Sequence, residues 1–332
     1  MTSAERTTAI AAYGFTPRQA AFLSTVLVHA GVCVQRQYSA FAGIAHGQVT
    51  HNFFAALVTH RFATAYPCAR RGAQIYHVHH KALYRAIGEP DSRLRRPATV
   101  ARAVERLMVL DAVLAQPEIT WLGTEREKVA YWIDRRGFSL DELPALTFAA
   151  NERQTTRYFP HKLPLGSASA GDVLTLLYLV TEVSGRACRQ FLEAHRRMLH
   201  RLSRWRLLLV APRVLAAAIP AHQLVAADFC AAPLRPAIVE EFSWFCRVRR
   251  ALEDTGTRPA DRDAARFARA RQAFGAPRFY AAYRDWRRDG DASLQRLLSP
   301  VLHDARQRGA ATVDTVVLPH VYAELGDVVQ TA

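Results

Sequence analysis

The chain has 332 residues, half of them hydrophobic, which excludes a single small module and allows two or three domains. Lysine and arginine number 44 against 29 acidic residues, giving a formal net charge of +15. Such a charge attracts polyanions, of which nucleic acid is the commonest, although nearly all of it is arginine because lysine occurs only at Lys81, Lys128 and Lys162.

The cysteines and apolar segments exclude two further classes of protein. The five cysteines are odd in number and contain no C-x-x-C pair, which indicates reduced, buried thiols and not a secreted disulfide scaffold. No signal peptide is predicted. The most apolar segment, 207–229, is interrupted by Pro212, Arg213 and Pro220 and does not read as a membrane-spanning helix. A soluble, cytoplasmic protein without a membrane partner is expected.

Three short helices are predicted in the first sixty residues. Thr16 and Gln19 form a predicted capping box at the start of the first, which Gly31 ends. The second is predicted over 36–42 and the third over 46–60. The predicted core stripe of the third helix consists of Val49, Phe53, Ala56 and Leu57.

Two segments rich in aromatic and β-branched residues follow at 62–66 and 74–78, with Arg70 and Arg71 between them. They predict a β-hairpin with a basic tip. Three short helices followed by such a hairpin are typical of the winged helix-turn-helix, whose third helix enters the major groove while the wing lies along the backbone. The alternative is a helical core domain whose polar face only meets solvent.

Positive charge concentrates in this predicted DNA reader, since 11 basic but only three acidic residues lie between positions 36 and 106. Contacts to phosphates, which supply affinity and salt dependence, are predicted for one group of residues. That group is Arg36, Gln37, Arg70, Arg71, Arg93, Arg95 and Arg96. Base contacts are predicted for Gln48, Thr50, His51 and Asn52.

A histidine-rich run in the second hairpin strand raises the alternative of a zinc site. His77 and His79 share one face of that strand, and His80 follows. No cysteine or carboxylate joins them locally. Histidines that are packed or face phosphate are the simpler interpretation, and neither a metal nor a cofactor is predicted.

The predicted domains after the winged helix (1–90) are a linker and two larger regions. The linker, 91–117, contains a helix that begins near Val100 and ends at Leu114. Strand and helix signals alternate over 118–232, which predicts an α/β domain, and 233–332 is predicted to be helical.

A βαβ unit is predicted inside the α/β domain. It consists of a buried strand at 173–180, a helix at 185–202 and a strand at 205–211. Seven arginines crowd this helix and its exit. They form either a solvated face or a second DNA-contacting face.

One part of the chain resembles a known family. The winged helix, the arginine-rich helix and the segment 157–164 (RYFPHKLP) resemble the replication-relaxation family, DNA-binding proteins of plasmids and integrated mobile elements, over about residues 16–212. The resemblance implies an α/β part similar to the PD-(D/E)xK nuclease core, in which two carboxylates hold Mg²⁺ and a lysine helps to position the attacking water.

The nuclease residues are incomplete at the matching positions. These are Pro160-His161 on one strand and Glu182-Val183-Ser184 at the end of the next, so one carboxylate is left and the lysine position holds serine. The resemblance therefore implies a degenerate, inactive core. A missing ligand from elsewhere stays open as an alternative, the candidates being Glu125, Glu127 and Glu152.

The sequence therefore predicts an α+β protein: an N-terminal winged helix-turn-helix, an α/β domain resembling a degenerate PD-(D/E)xK core, and a helical C-terminal region. The predicted function is a sequence-specific transcriptional regulator of a mobile genetic element that binds double-stranded DNA as a homodimer and is not an enzyme. Phosphate-loop, dinucleotide, serine-hydrolase and H-E-x-x-H motifs are missing from the sequence. The alternatives are a replication or transfer accessory protein that binds an origin, and a Mg²⁺-dependent nuclease.

Overall fold

The structure is a computed structural model that describes residues 1–68, 73–150, 153–168 and 173–322, and its fold is mixed α+β. Its α-helices are α1 (Ser3–Ala11), α2 (Pro17–His29), α3 (Gln35–Ala42), α4 (Gln48–Thr59), α5 (Lys81–Ala86), α6 (Val100–Leu114), α7 (Glu125–Ala130), α8 (Arg186–Arg201), α9 (Ile219–Phe229), α10 (Pro236–Thr255), α11 (Asp261–Ala273), α12 (Pro277–Asp289) and α13 (Val301–Gln307). Its strands are β1 (Val32–Cys33), β2 (Ala63–Pro67), β3 (Gln74–Val78), β4 (Ile119–Leu122), β5 (Ala145–Ala150), β6 (Arg153–Tyr158), β7 (Leu165–Ala168), β8 (Val173–Leu179), β9 (Arg204–Pro212) and β10 (Ala311–Leu318).

The N-terminal unit is a small antiparallel sheet, in the order β1-β3-β2, that packs with α2, α3 and α4. The three predicted helices and the two predicted hairpin strands are all present. Aromatic rings fill the centre: Tyr38 and Phe53 have ring centroids 4.5 Å apart, and Phe54 and Tyr76 4.4 Å apart. These rings join α3 and α4 to each other and to β3, and so fix the direction of α4.

Helix α1 was not predicted, although its start carries a recognisable signal. Thr2 and Glu5 form a capping box with each other, as Thr16 and Gln19 do at the start of α2. Arg6 of α1 forms a largely buried ion pair with Glu127 of α7. Helix α1 therefore ties the N-terminal unit to the part of the chain that follows α6.

Gly31 ends α2 in a crowded left-handed turn. Its φ is +68°, its carbonyl accepts a hydrogen bond from the N–H of Val78 (2.9 Å), and a Cβ there would lie 2.7 Å from the carbonyl oxygen of Leu94. Both the positive φ and the close backbone oppose any larger residue.

We expect Gly31→Ala to lower the free energy of unfolding by about 2–4 kcal/mol, because left-handed strain and overpacking add. Urea denaturation followed by circular dichroism measures this. Gly14→Ala is the matched control, since Gly14 has a φ of +90° with no atom within 4 Å of a built Cβ. Equal losses in the two variants would contradict a steric role for Leu94.

A second, five-stranded sheet has the order β10-β9-β8-β7-β4. Strands β8, β9 and β10 are parallel, and β7 runs antiparallel to both of its neighbours. Helix α8 connects β8 to β9, so the predicted βαβ unit is present. Strands β5 and β6 form a separate antiparallel hairpin between β4 and β7 along the chain.

Both faces of the large sheet are covered. Along β8, Leu176 and Tyr178 contribute to one core while Leu177 and Leu179 contribute to the other, as the alternation of a strand requires. The first of these cores contains α8 and α9. The second contains α6 and is continuous with the core of the N-terminal unit, so the two units share one hydrophobic interior.

The prediction of a purely helical region from 233 to 332 is wrong at its end. Strand β10 returns to the large sheet and pairs in parallel with β9, with Ala311 opposite Trp205. Helix α13 also packs into the core beside α8 through Leu302 and Ala305. Between them, α10, α11 and α12 form a third core of their own around Phe242 and Phe274, whose ring centroids lie 4.9 Å apart.

The cysteines are unpaired, and four of the five are buried, with Cys68 only half-buried. The prediction of reduced thiols therefore agrees with this structure, apart from the partial exposure of Cys68. Over the ranges that the structure describes, no helix is both long and apolar enough to cross a membrane.

Candidate nucleic-acid interface

One side of α4 is polar and faces solvent. Its opposite side is anchored in the core by Phe53, Phe54 and Leu57, each at most 3 % exposed. Gln48, His51 and Asn52 are exposed, as predicted, and the Gln48 amide donates a hydrogen bond to the Asn52 side-chain oxygen (2.6 Å). Three side chains that can donate and accept hydrogen bonds are thus presented by a rigidly held helix.

Val49 lies on this same exposed side, with 65 % of its surface accessible. Its prediction as part of the core stripe is wrong, because the buried side of α4 runs through Thr50, Phe53, Phe54 and Leu57 and Val49 lies outside it. An exposed branched apolar side chain between Gln48 and Asn52 is a feature that the sequence analysis missed. No signal in the sequence marked it, since the helical period had placed Val49 in the predicted core stripe.

Two predicted contact residues are buried and therefore wrong as DNA contacts. Gln37 is 1 % exposed, and its side chain accepts from the backbone N–H of Val34 (3.0 Å) and donates to the carbonyl of Leu107 (3.0 Å). Thr50 is fully buried, and its hydroxyl lies 3.0 Å from that of Ser39. Both side chains form these hydrogen bonds inside the protein and do not face DNA.

Arg36 is engaged by a carboxylate. Its guanidinium donates two hydrogen bonds of 2.7 Å to the two oxygens of Asp111 on α6, and it lies over the ring of Tyr322. The Asp111 side chain is 9 % exposed and that of Arg36 is 33 % exposed. The prediction of Arg36 as a phosphate contact is therefore wrong, because Asp111 already neutralises its charge.

The other predicted phosphate contacts differ in their surroundings. Arg93 and Arg96 are exposed. Arg95 is half-buried, and its guanidinium donates to the carbonyls of Pro90 (2.7 Å) and His79 (3.4 Å), so it supports the fold of the connection after α5. Arg70 and Arg71 lie outside the described residues.

His77 of β3 is buried, and His79, which follows the strand, is half-buried. His77 is 5 % exposed with its Nε2 2.9 Å from the carbonyl oxygen of Leu94, and the Nε2 of His79 lies 2.9 Å from the hydroxyl of Thr64. Burial lowers the pKa of both imidazoles, which favours their neutral forms. In the part of the chain that the structure describes, no group of three or more His, Cys, Asp or Glu residues is arranged to hold a metal ion.

Most arginines of α8 and its exit are already partnered. Arg197 donates to the carbonyl of Asp141 (3.0 Å), and four others form ion pairs. The ion pairs are Arg189–Asp228, Arg196–Glu193, Arg201–Glu142 and Arg206–Asp314. Of the seven, Arg186 and Arg204 are exposed and form no ion pair in the described residues. This distribution favours a structural, solvated face over a second DNA-contacting face.

The residues matched to a nuclease core do not lie where the resemblance implies. Pro160 and His161 are in the turn between β6 and β7, not on a strand. The His161 ring packs near Phe191 of α8, with centroids 5.3 Å apart. Glu182 follows β8 and accepts a hydrogen bond from the backbone N–H of Ala187 (2.5 Å), so it caps the start of α8.

The carboxylates considered as alternative Mg²⁺ ligands already accept hydrogen bonds within the protein. Glu125 accepts from the backbone N–H of Tyr158 (2.8 Å). Glu127 accepts from the N–H groups of Gly123 (3.1 Å) and Thr124 (3.0 Å) in addition to its ion pair with Arg6. Glu152 lies outside the described residues. The described carboxylates near β7 and β8 thus serve as caps and ion-pair partners.

Comparison with protein-family models, with curated proteins and with solved structures gives no match for this chain. The resemblance to the replication-relaxation family therefore stays a prediction from the sequence.

Proposed function

We propose that this protein binds duplex DNA through its N-terminal unit, which acts as a winged helix with α4 as the recognition helix. The observation that carries the proposal is the exposed polar side of α4, where Gln48, His51 and Asn52 stand clear of the packed core. The order of elements supports it, since two further helices and a β1-β3-β2 sheet that includes a hairpin surround α4.

The side chains of α4 suit the major groove. Glutamine and asparagine amides can form paired hydrogen bonds with adenine, and an apolar side chain can contact the thymine methyl group. Gln48 and Asn52 supply the amides, and the exposed Val49 beside them supplies the apolar contact. The overall charge of +15 favours the approach to DNA.

We expect Asn52→Ala to weaken binding to a preferred duplex by about 1–3 kcal/mol and to change binding to random duplex little, because a base contact is lost. A pool of random duplexes enriched on the full-length protein supplies the preferred site, and fluorescence anisotropy measures the dissociation constants. Gln272→Ala, an exposed change on α11, is the matched control. Equal weakening on preferred and random duplex would refute the base-reading role.

Regulation of transcription is the specific function that we propose for this binding, with a homodimer as the binding species. A two-fold assembly predicts two half-sites whose centres are about one helical turn, or a multiple of it, apart. Enriched sequences without such a repeat, together with a monomer in sedimentation equilibrium at micromolar concentration, would contradict the dimer. Enrichment of the protein's own upstream DNA would support regulation over origin binding.

We propose that the α/β unit, formed by the five-stranded sheet with α8 and α9, supports binding and does not cleave DNA. The placement of His161 in an exposed turn and of Glu182 at the start of α8 supports this, because in the described residues no group of three or more His, Cys, Asp or Glu side chains is arranged to hold a metal ion. Incubation of supercoiled plasmid with Mg²⁺ or Mn²⁺ tests it. Nicking that copurifies with the protein and is lost in Glu182→Ala would overturn it.

A further inference from the structure

The hairpin of β5 and β6 stands apart from the two larger sheets. Within the described part of the chain its strands pair only with each other, from Ala145 opposite Tyr158 to Ala150 opposite Arg153. Residues 145–148 and 155–157 are all exposed, so neither face of the ribbon is covered at these positions. A two-stranded ribbon exposed on both faces is only marginally stable in water, and a partner that covers one face would stabilise it.

The base of the β5–β6 hairpin is anchored in the core of the α/β unit. Leu143 and Phe159, which flank the two strands, are both buried and belong to the core that contains α8. The N–H of Phe159 donates to the carbonyl of Pro144 (2.7 Å), and the N–H of Tyr158 donates to the Glu125 carboxylate on α7 (2.8 Å). The direction of the hairpin is therefore fixed at its base, while its strands project into solvent.

One face of the β5–β6 hairpin combines apolar and basic side chains. Alternate residues of a strand share a face, and so do residues paired directly across an antiparallel ladder. Leu146 and Phe148 of β5 therefore lie on the same face as their partners on β6, Arg157 and Thr155. Leu146 is 47 % exposed and Phe148 is 50 % exposed, which is unusual for side chains of this size. We call these four residues the ribbon face.

The charge of the β5–β6 hairpin favours an anionic partner. Residues 145–150 and 153–158 include Arg153 and Arg157 but no aspartate or glutamate. Glu125 lies 3.9 Å from Arg157, whose side chain is half exposed, and an exposed pair at that separation contributes little. The Arg157 guanidinium is therefore available to a ligand that approaches from solution.

We propose that the β5–β6 hairpin is a second DNA-contacting element, whose ribbon face enters the major groove of duplex DNA. The proposal rests on the proposed DNA binding of the N-terminal unit and extends it to the α/β unit. The major groove admits a two-stranded β-ribbon, and there arginine recognises guanine while phenylalanine and the methyl group of threonine contact the thymine methyl. Arg157, Phe148 and Thr155 supply these contacts from exposed positions.

A second copy of the chain is the competing occupant of the ribbon face, and two observations argue against it. In a two-fold contact the same face meets itself, which would bring the Arg157 side chains of both copies together. Leu146 and Phe148 also offer far less apolar area than the roughly 800 Å² that each partner of a stable interface buries. Duplex DNA instead covers the ribbon face with phosphates on both sides of the groove.

The first experiment truncates the aromatic and the basic side chain of the ribbon face in the full-length protein. Phe148→Ala combined with Arg157→Ala should weaken binding to the preferred duplex by at least about tenfold in fluorescence anisotropy, because two base contacts are lost. The matched control is Arg213→Ala with Val214→Ala, which removes one exposed arginine and one exposed apolar side chain after β9. It should change binding by less than about threefold, as expected of surface changes outside the DNA-contacting residues.

The results separate the β5–β6 hairpin from the N-terminal unit. Unchanged affinity in the Phe148/Arg157 variant, with wild-type binding intact, would overturn the role of the hairpin alone. Failure of the wild-type protein to bind any duplex at low salt would instead overturn the proposed function. Leu146→Ser with Phe148→Ser should leave the oligomeric state in sedimentation equilibrium unchanged, and conversion of a wild-type dimer to a monomer would assign the ribbon face to a second copy.

The second experiment locates the ribbon face on DNA by photocrosslinking. Preferred duplex in which iodouracil replaces thymine carries iodine at the position of the thymine methyl, and irradiation joins it to an aromatic ring in contact. Trypsin cleaves after Arg136 and Arg153, so Phe148 lies in the peptide 137–153. We expect mass spectrometry to find the nucleotide adduct at Phe148 and to find none in Phe148→Ala. A wild-type adduct confined to other peptides would overturn the placement of the ribbon face in the major groove.

Discussion

Asp111→Ala should lower the free energy of unfolding by about 3 kcal/mol, because it leaves the Arg36 guanidinium without its carboxylate. Asp111 accepts two hydrogen bonds from Arg36 and a further one from the hydroxyl of Tyr322. We expect the low end of the usual range for buried pairs because Arg36 keeps a third of its exposure. Urea denaturation at neutral pH measures the change.

Two further variants make the Asp111 prediction specific. Glu105→Ala removes a carboxylate from the same helix but from an exposed pair, and should cost less than about 1 kcal/mol. Arg36→Met combined with Asp111→Leu should recover most of the lost stability, since no unpaired charge is left. A double variant as unstable as Asp111→Ala would show that the loss comes from packing and not from the charge.

The stability of the protein should fall as the pH is lowered from about 6.5 towards 3, and His195 should account for part of this fall. Burial lowers the pKa of His195 from 6.5 to about 3, and its side chain is 2 % exposed with Nδ1 2.7 Å from the carbonyl of Phe191. The unfolded chain binds a proton at this residue in that pH range and the folded chain does not. The contribution of His195 is therefore complete above pH 6.5 and declines by about 1.4 kcal/mol per pH unit below it.

His195→Gln isolates this contribution, since glutamine can donate to the Phe191 carbonyl but does not titrate. Urea denaturation at pH 7.5, 6 and 5 should show a shallower fall of stability with acid in this variant than in wild type. His46→Gln, an exposed change, should follow the wild-type curve. Parallel curves for wild type and His195→Gln would show that the folded protein protonates His195 as readily as the unfolded chain does.

Cations that form ion pairs and cations that form none contribute differently to this protein: the first stabilise its fold, and the second are open to bind a ligand. Arg36 is basic in the sequence yet stabilises the fold, because Asp111 meets it from α6. Arg93 and Arg96 are exposed and form no ion pair among the described residues, so both stay predicted phosphate contacts. Whether an arginine of this chain stabilises the fold or is free to bind a partner therefore depends on whether the fold places a carboxylate beside it.

The sequence by itself determined the local elements of the N-terminal unit. The capping box of Thr16 and Gln19 starts α2 and Gly31 ends it with a φ of +68°, and both signals act within one helical turn. The exposure of Gln48, His51 and Asn52 also follows from the helical period of α4. These predictions succeeded because their physical causes lie within a few residues of each other.

The contacts between residues that lie far apart in the sequence were decided only by the tertiary structure. Asp111 meets Arg36 from 75 residues away, and β10 joins a strand about a hundred residues earlier in the chain. Periodicity carries no information about such partners, so it did not show that Gln37 is buried against the carbonyl of Leu107. Charges far apart in sequence interact only once packing has placed them together.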